Sequence, residues 1–251
     1  MPDRGMISVV IPTLNAEQRF AACLTALVPA AVDGFVREVI IADGGSRDGT
    51  AKIAEQAGAT YLTTEPGRGT QLHAGAARAK QPWLLFLHAD TVLSPGWEDA
   101  AAAFMGRVDL GGLPLAAAAF RFALDDIGVA PRTLERLVAI RSSLLKRPYG
   151  DQGLLIPRRL YDEIGGYRKI ALMEDVDIVR RLGRRRLTIL RATAITGAQR
   201  YRQHGYLQRV LRNQMCLMLY SAGVAPDRIA RVYDGRNAAA GKSASQYGRE
   251  I

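Results

Sequence analysis

The chain has 251 residues, 48% of them apolar and 23% charged, and a formal net charge of +10. This length and balance suit one globular unit with a sizeable core and exclude a collagenous, disulfide-stapled or wholly disordered chain. The charge is uneven: the first 125 residues carry ten Lys and Arg against 13 Asp and Glu, whereas the remainder carry 24 against 11.

Residues 6–11 form an apolar run that ends at Pro12-Thr13-Leu14-Asn15, predicting a first strand stopped by proline. Over 17–27, Phe20, Leu24 and Leu27 recur at helical spacing. Residues 39–41 read as a second strand that stops at Asp43-Gly44-Gly45-Ser46, followed by a helix over 49–58 and a short third strand over 61–63. A glycine turn, Gly67-Arg68-Gly69-Thr70, leads into a helix over about 71–79, and a fourth strand over 83–87 runs into His88-Ala89-Asp90. Strands alternating with helices predict an α/β fold with a mostly parallel, right-handed central sheet flanked by helices. In such a sheet ligands bind beyond the carboxyl ends of the strands. Asp43 and Asp90 are therefore expected to face one cleft, where a nucleotide and a divalent metal would sit. Arg68 is the cation best placed to meet the nucleotide, because its turn precedes a helix amino end.

Further along, Tyr149-Gly150-Asp151-Gln152-Gly153 precedes a strand-like run over 154–156. Asp151 reads either as a ligand-binding acid or as a turn residue between two glycines. Glu174 and Asp175 open a helical run carrying Ile178, Val179 and Leu182. They read as an acidic helix start favoured by the macrodipole or as a source of general base. The arginines from Arg180 to Arg186 form the densest basic run. A solvated face is the default reading, with an anionic membrane or a phosphorylated substrate as functional alternatives. No nucleic-acid partner is expected, since no binding signature accompanies the charge.

Over 206–220, Leu207, Val210, Leu211, Met215, Leu217 and Met218 interleave with Arg209 and Arg212, predicting an amphipathic helix with a basic face. Packing on the domain is the default, with a peripheral membrane contact or a homodimer contact as alternatives. Cys23 and Cys216 lie in helical apolar patterns and are expected to be free buried thiols. With no leader-like segment and no run near the roughly 20 apolar residues of a membrane span, the expectation is a cytoplasmic protein. Residues 1–235 are expected to form one domain and 236–251 a flexible tail.

Four motifs, Val9 through Asn15, Asp43-Gly44-Gly45-Ser46-Arg47-Asp48-Gly49-Thr50, the strand end at Asp90, and Glu174-Asp175, resemble in order and spacing the family 2 glycosyltransferases of the GT-A fold. More narrowly, Gly67 through Leu72 with Phe86 through Thr91 looks like a bacterial subgroup associated with arsenosugar biosynthesis or radical-SAM/selenodomain proteins. The resemblance implies an inverting, metal-dependent transfer of a sugar from a UDP- or GDP-linked donor to an acceptor hydroxyl, with a lipid-linked acceptor as one option. By the same resemblance Pro12, Thr13 and Leu14 line the base, Asp43 reads it, and Asp90 holds the metal that bridges the diphosphate. Where the family has a second acid this chain has His88, a ligand or a packed histidine, which makes Mn²⁺ more acceptable than Mg²⁺. The acid pair implies Asp175 as catalytic base with Glu174 as its rival, and Asp151 and Gln152 fall on the acceptor side. Arg200-Tyr201 resembles an Arg-aromatic pair near the diphosphate, and His204 is either a distant third ligand or a surface residue. A nucleotidyltransferase would carry its glycine-rich signature after the first strand, where this chain has Pro12-Thr13-Leu14-Asn15. A non-catalytic anion-binding protein would have no need of Asp175.

Overall fold

The computed structural model describes residues 6–231 and 233, without the side chains of Leu145, Arg200 and His204. The expected tail over 236–251 and the roles considered for Arg200 and His204 lie outside that description.

Eight strands, β1 (Ile7–Thr13), β2 (Val36–Asp43), β3 (Thr60–Thr63), β4 (Trp83–Phe86), β5 (Thr91–Leu93), β6 (Ala117–Asp125), β7 (Leu154–Pro157) and β8 (Leu187–Gly197), form one sheet. Their order is β3-β2-β1-β4-β7-β6-β8-β5. The pairs β1·β2, β1·β4, β2·β3 and β6·β8 are parallel, while β7 runs antiparallel to both β4 and β6, and β5 antiparallel to β8. This is the expected α/β, GT-A-like sheet with an antiparallel insertion at β7. The insertion decides the site, because it puts the amino end of β7 beside the carboxyl end of β4, with Phe86 opposite Leu154.

The helices are α1 (Glu17–Thr25), α2 (Val28–Val32), α3 (Thr50–Gln56), α4 (Arg68–Arg78), α5 (Trp97–Asp109), α6 (Val129–Leu145), α7 (Arg158–Glu163), α8 (Glu174–Leu182), α9 (Gln199–His204) and α10 (Tyr206–Ser221). The helix expected over 17–27 stops at Thr25 and restarts at Val28. Pro29 accounts for the break: it has no N–H to donate to the Thr25 carbonyl and sits in the first turn of α2, where that donor is not needed. α4 begins at Arg68, three residues earlier than expected, with Gly67 ahead of it at φ 138.

Every residue of β1 is buried, as a central strand covered on both faces requires. Successive side chains point to opposite faces. Val9 and Ile11 pack with Phe20, Trp97 and Phe104 on one side, and Val10 packs with Leu84, Ile156 and Ile178 on the other. At roughly 25 cal/mol per Å² of apolar surface removed from water, these two layers are the main stabilising term. Cys23 and Cys216 are buried and form no disulfide, as expected. Among the described residues no helix is long and apolar enough to cross a membrane.

Candidate active site

Because β1, β2, β4, β6 and β8 share one direction and β7 opposes them, the carboxyl ends of the five and the amino end of β7 meet at one edge of the sheet. Two adjoining cavities open there, of about 440 and 200 Å³. Arg68, His88, Asp90, Leu172, Gly197 and Tyr233 border both. The larger extends to Pro12 and Thr13, which end β1 one residue beyond the proline expected to stop it, and to Leu14 after it. The smaller extends to Asp151, Asp175, α6 and α10.

The larger cavity is bordered by the residues expected at the nucleotide, Pro12, Thr13, Leu14, Arg68 and Asp90. Gln71, buried in the first turns of α4, donates from Nε2 to the carbonyls of Thr13 (2.7 Å) and Ala42 (2.8 Å), tying together the ends of β1 and β2. Gly67, Arg68 and Gln71 line this cavity, so the amino end of α4 borders it, and the partial positive charge of a helix amino end favours an anion there. Arg68 adds a full charge beside it.

Asp43 departs from expectation. It is 1% exposed and borders neither cavity. Its carboxylate accepts from Thr13 Oγ1 (2.7 Å), the Gly45 N–H (2.8 Å), the Ser46 N–H (2.6 Å) and Ser46 Oγ (2.5 Å). Burial alone would raise its pKa, but the donors from Ser46, Thr13 and Gly45 outweigh burial and hold it below the usual carboxylate value. With its lone pairs engaged in this way, Asp43 organises the turn after β2 and fixes Thr13 from behind; in this conformation it has no acceptor turned toward a base.

The two adjacent acids at the start of α8 separate. Successive residues of a helix diverge by about 100°, so only one of a neighbouring pair faces a given surface. Asp175 borders the smaller cavity; its Oδ2 accepts from the Gly150 N–H (2.8 Å) and its Oδ1 from the Val176 N–H (2.7 Å). Glu174 is buried, borders neither cavity, and meets Arg68 Nε at 3.2 Å. Burial pushes the Glu174 carboxyl up to about 7, against the pull of Arg68, and Glu174 in turn raises the Arg68 pKa. The structure thus turns Asp175, and not Glu174, toward the cavity, with Glu174 buried against Arg68. Met173, just before it, sits at φ 69, a left-handed backbone that costs a non-glycine residue free energy.

Gly150 brings His88 to Asp175. A Cβ at this glycine would lie 2.6 Å from His88 Nε2 and 3.4 Å from Asp175 Oδ2, so only glycine fits between the imidazole and the carboxylate. Asp151 borders the smaller cavity with one carboxylate oxygen buried and without a hydrogen-bond partner. Burial pushes it up to about 6, against the pull of Arg141, with Asp175 and Asp90 adding to the rise. Gln152, expected on the acceptor side, lies behind the cavity wall. It is 1% exposed and borders neither cavity, accepting from Ser142 Oγ (2.8 Å) and donating to the Phe120 carbonyl (2.9 Å). It braces the loop that carries Asp151 and contacts no substrate space.

Arg141, Arg209 and Tyr233 also border the smaller cavity, and sequence reasoning gave them no place there. The Arg209 guanidinium is 5.6 Å from the Tyr201 ring centroid and 5.9 Å from that of Tyr233, with its Nε without a partner. Tyr201 following an arginine was the only available signal. The Gly150 N–H carried none, because its role depends on the reversed direction of β7.

Among the described residues no three His, Cys, Asp or Glu side chains form a ready metal cluster. Asp90 and His88, one oxygen and one nitrogen donor on the border of both cavities, fit a cation whose remaining ligands come from a diphosphate and water.

Residues 8–110 match the model of glycosyl transferase family 2. A PGL/p-HBAD biosynthesis glycosyltransferase of Mycobacterium bovis is 31% identical over 170 residues, 64% of this chain and 63% of that protein. A glucosyl-3-phosphoglycerate synthase of Mycolicibacterium paratuberculosis is 33% identical over 95 residues, 34% of this chain and 29% of the relative. The chain thus spans less than two thirds of the length of these relatives. Among solved structures, Mycobacterium tuberculosis glucosyl-3-phosphoglycerate synthase in complex with Mn²⁺ and UDP-glucose is similar at a TM-score of 0.55 and 19% identity, covering 88% of this chain and 80% of that one. S. aureus TarS is similar at 0.58 and 17%, covering 85% and 39%. Residues 8–110 are thus similar to glycosyl transferase family 2, in a chain whose fold is GT-A-like.

Proposed function

We propose that this chain is an inverting, metal-dependent glycosyltransferase that moves a sugar from a UDP-linked donor to an acceptor hydroxyl. The observation that carries the reading is the junction of the two cavities, where Asp175 is held by the Gly150 N–H and faces the same space as Asp90, His88 and Arg68. In this reading Pro12, Thr13 and Leu14 hold the nucleoside, with Asp43 bracing Thr13. Arg68 and the amino end of α4 hold the diphosphate. Asp175 takes the proton of the acceptor hydroxyl as its oxygen bonds to the anomeric carbon. The bond from that carbon to the diphosphate oxygen breaks, and its electron pair leaves with the nucleotide. One displacement inverts configuration. A divalent cation held by Asp90 with His88 would neutralise charge developing on the departing diphosphate.

Uridine is preferred because the similar synthase binds UDP-glucose and Mn²⁺. An acceptor with an apolar body, including a lipid-linked one, suits a cavity wall containing Phe122, Leu134, Val138, Val210 and Leu217. The narrower resemblance to the arsenosugar-associated subgroup stands within this proposal and names no acceptor; a cytoplasmic site of action fits it. The turn after β1 is pinned by Ser46 Oγ on the Asn15 N–H (2.7 Å) and by Asn15 Oδ1 on the Arg47 N–H (2.9 Å), unlike the glycine-rich loop a nucleotidyltransferase would place there.

A thermal-shift screen of UDP, GDP and ADP with and without Mn²⁺ tests the reading, since a ligand that binds the native state raises its apparent stability. Stabilisation by UDP that requires Mn²⁺ is expected. Metal-independent binding, or none by any nucleotide, would overturn it.

A further inference from the structure

The helix over 206–221 is amphipathic as expected, but the wrong way out. Arg209 and Arg212 are each only 8% exposed, whereas Leu207, Leu211 and Met218 are 73%, 60% and 66% exposed. α6 shows the same pattern, with Leu137, Ile140 and Leu144 at 57%, 55% and 73%. A soluble monomer rarely leaves a large contiguous apolar patch uncovered, so the relation between these two stripes matters.

The two helices flank the smaller cavity and run in the same sense. Tyr206, at the start of α10, donates to Asp126 just ahead of α6 at 2.6 Å, while Met218 and Ser221 at the end of α10 share a pocket with Arg147 just beyond α6. Leu134, Val138 and Arg141 of α6 and Val210, Gln214 and Leu217 of α10 face the cavity between them. At about 100° per residue, the exposed stripe of α6 lies roughly 90° to one side of its cavity-facing residues, and that of α10 roughly 90° to the other. For two helices of like direction facing each other, opposite offsets bring both stripes to one side of the molecule. The buried Ser142, Arg209 and Arg212 fall away from the stripes, Ser142 against Gln152 and the two arginines against Tyr233.

The exposed charge beside this face is mainly positive. Residues 127–147 carry Arg132, Arg136, Arg141, Lys146 and Arg147 against Glu135, and α9 adds Arg202, whereas Arg209 and Arg212 are buried on the far side. Arg136, Arg147 and Arg202 are exposed. Apolar side chains rimmed by cations match an anionic bilayer, into which the leucines insert while the arginines meet lipid phosphates.

We propose that the α6–α10 face is a peripheral docking surface for an anionic phospholipid membrane, which would place the mouth of the acceptor-side cavity at the lipid surface. The membrane contact stands independently of the glycosyltransferase reading; only the placing of an acceptor rests on it.

Co-sedimentation of the full chain with extruded vesicles, either phosphatidylcholine alone or phosphatidylcholine with phosphatidylglycerol, tests this, with UDP and Mn²⁺ binding measured on the same samples. Binding to the anionic vesicles is expected to be stronger than to the neutral ones and to weaken with salt. L137E/L211E is expected to cut vesicle affinity by at least about tenfold, since it removes two inserting side chains and adds two repelled charges. Because both positions are exposed, circular dichroism and UDP binding should be unchanged. Absence of binding to anionic vesicles, or binding that the double substitution leaves intact, would overturn the proposal. So would a dimer in sedimentation velocity that L137E/L211E dissociates without any vesicle binding, which would assign the face to a second copy of the chain. Loss of UDP binding with vesicle binding retained would overturn the donor reading and leave the docking surface standing.

Discussion

Asp175→Asn separates chemistry from binding. The wild-type carboxylate accepts two N–H groups, from Gly150 at 2.8 Å and Val176 at 2.7 Å. Asparagine has one oxygen, so one of the two donors would face the amide NH₂. Leaving one such donor unsatisfied costs about 1–3 kcal/mol of stability, tolerable for a protein with the usual margin of about 5–15 kcal/mol. The donor-side residues Pro12, Thr13, Leu14 and Arg68 are untouched, so UDP affinity in the presence of Mn²⁺, measured by calorimetry, should stay within about twofold, a difference of only ~0.4 kcal/mol. Turnover is different. A positioned base contributes about 10²- to 10⁴-fold, so release of UDP from the sugar donor should fall by that factor, equivalent to about 3–5 kcal/mol in the barrier. Near wild-type turnover by Asp175→Asn, with the fold intact, would refute the assignment of Asp175 as base and turn attention to Asp151.

Three further outcomes follow from the geometry. Glu174 has its pKa raised by burial to about 7 from 4.5, so the folded state holds a proton the unfolded state has released between those values, and stability falls as pH rises across that window. Glu174→Gln should therefore match wild type near pH 4.5 and exceed it by a few kcal/mol, on the order of 3, above pH 7 in denaturant melts; an equal deficit at both pH values would contradict the buried-carboxyl account. Asp43→Ala should cost about 3–5 kcal/mol, because buried donors from Thr13, Gly45 and Ser46 lose their acceptor. Its lowered pKa means that wild-type Asp43 stabilises above about pH 4 and loses that contribution as pH falls through the folded value, so a variant as acid-sensitive as wild type would sink this role. Gly150→Ala should displace His88 and lower turnover and Mn²⁺-dependent UDP binding together, which separates it from Asp175→Asn; unchanged metal dependence would remove His88 from the cation site.

The first four strands were legible as short apolar runs, β2 and β4 leading to Asp43 and Asp90, but not in their bounds: β1 runs on through Pro12 to Thr13, and β2 starts at Val36, three residues ahead of the expected run. β6 and β8 were not. β6 mixes four alanines with Arg121, and β8 carries Arg191 and three threonines on a half-exposed surface, so neither shows a β-branched apolar run. The acid pair was legible as a pair, but which member faces the cleft depends on the rotation at which α8 begins, set by Met173 in a left-handed conformation. The sequence of α10 shows two faces without saying which is buried. Arg209 and Arg212 point inward because Tyr201 and Tyr233 offer them aromatic faces, a pairing across distant segments that no local pattern encodes. Asp43 has the residue type and strand-end position of a base reader, and only the four donors gathered around it show that its lone pairs are already engaged.

The most direct test of the central claim is UDP release from a panel of UDP-hexoses, followed with and without Mn²⁺ in wild type and in Asp90→Ala. The account predicts Mn²⁺-dependent release from at least one donor, even at the slow rate set by water as acceptor, abolished by a chelator and lost in Asp90→Ala with its circular dichroism unchanged. Release that is indifferent to metal, or equally fast in Asp90→Ala, would contradict it.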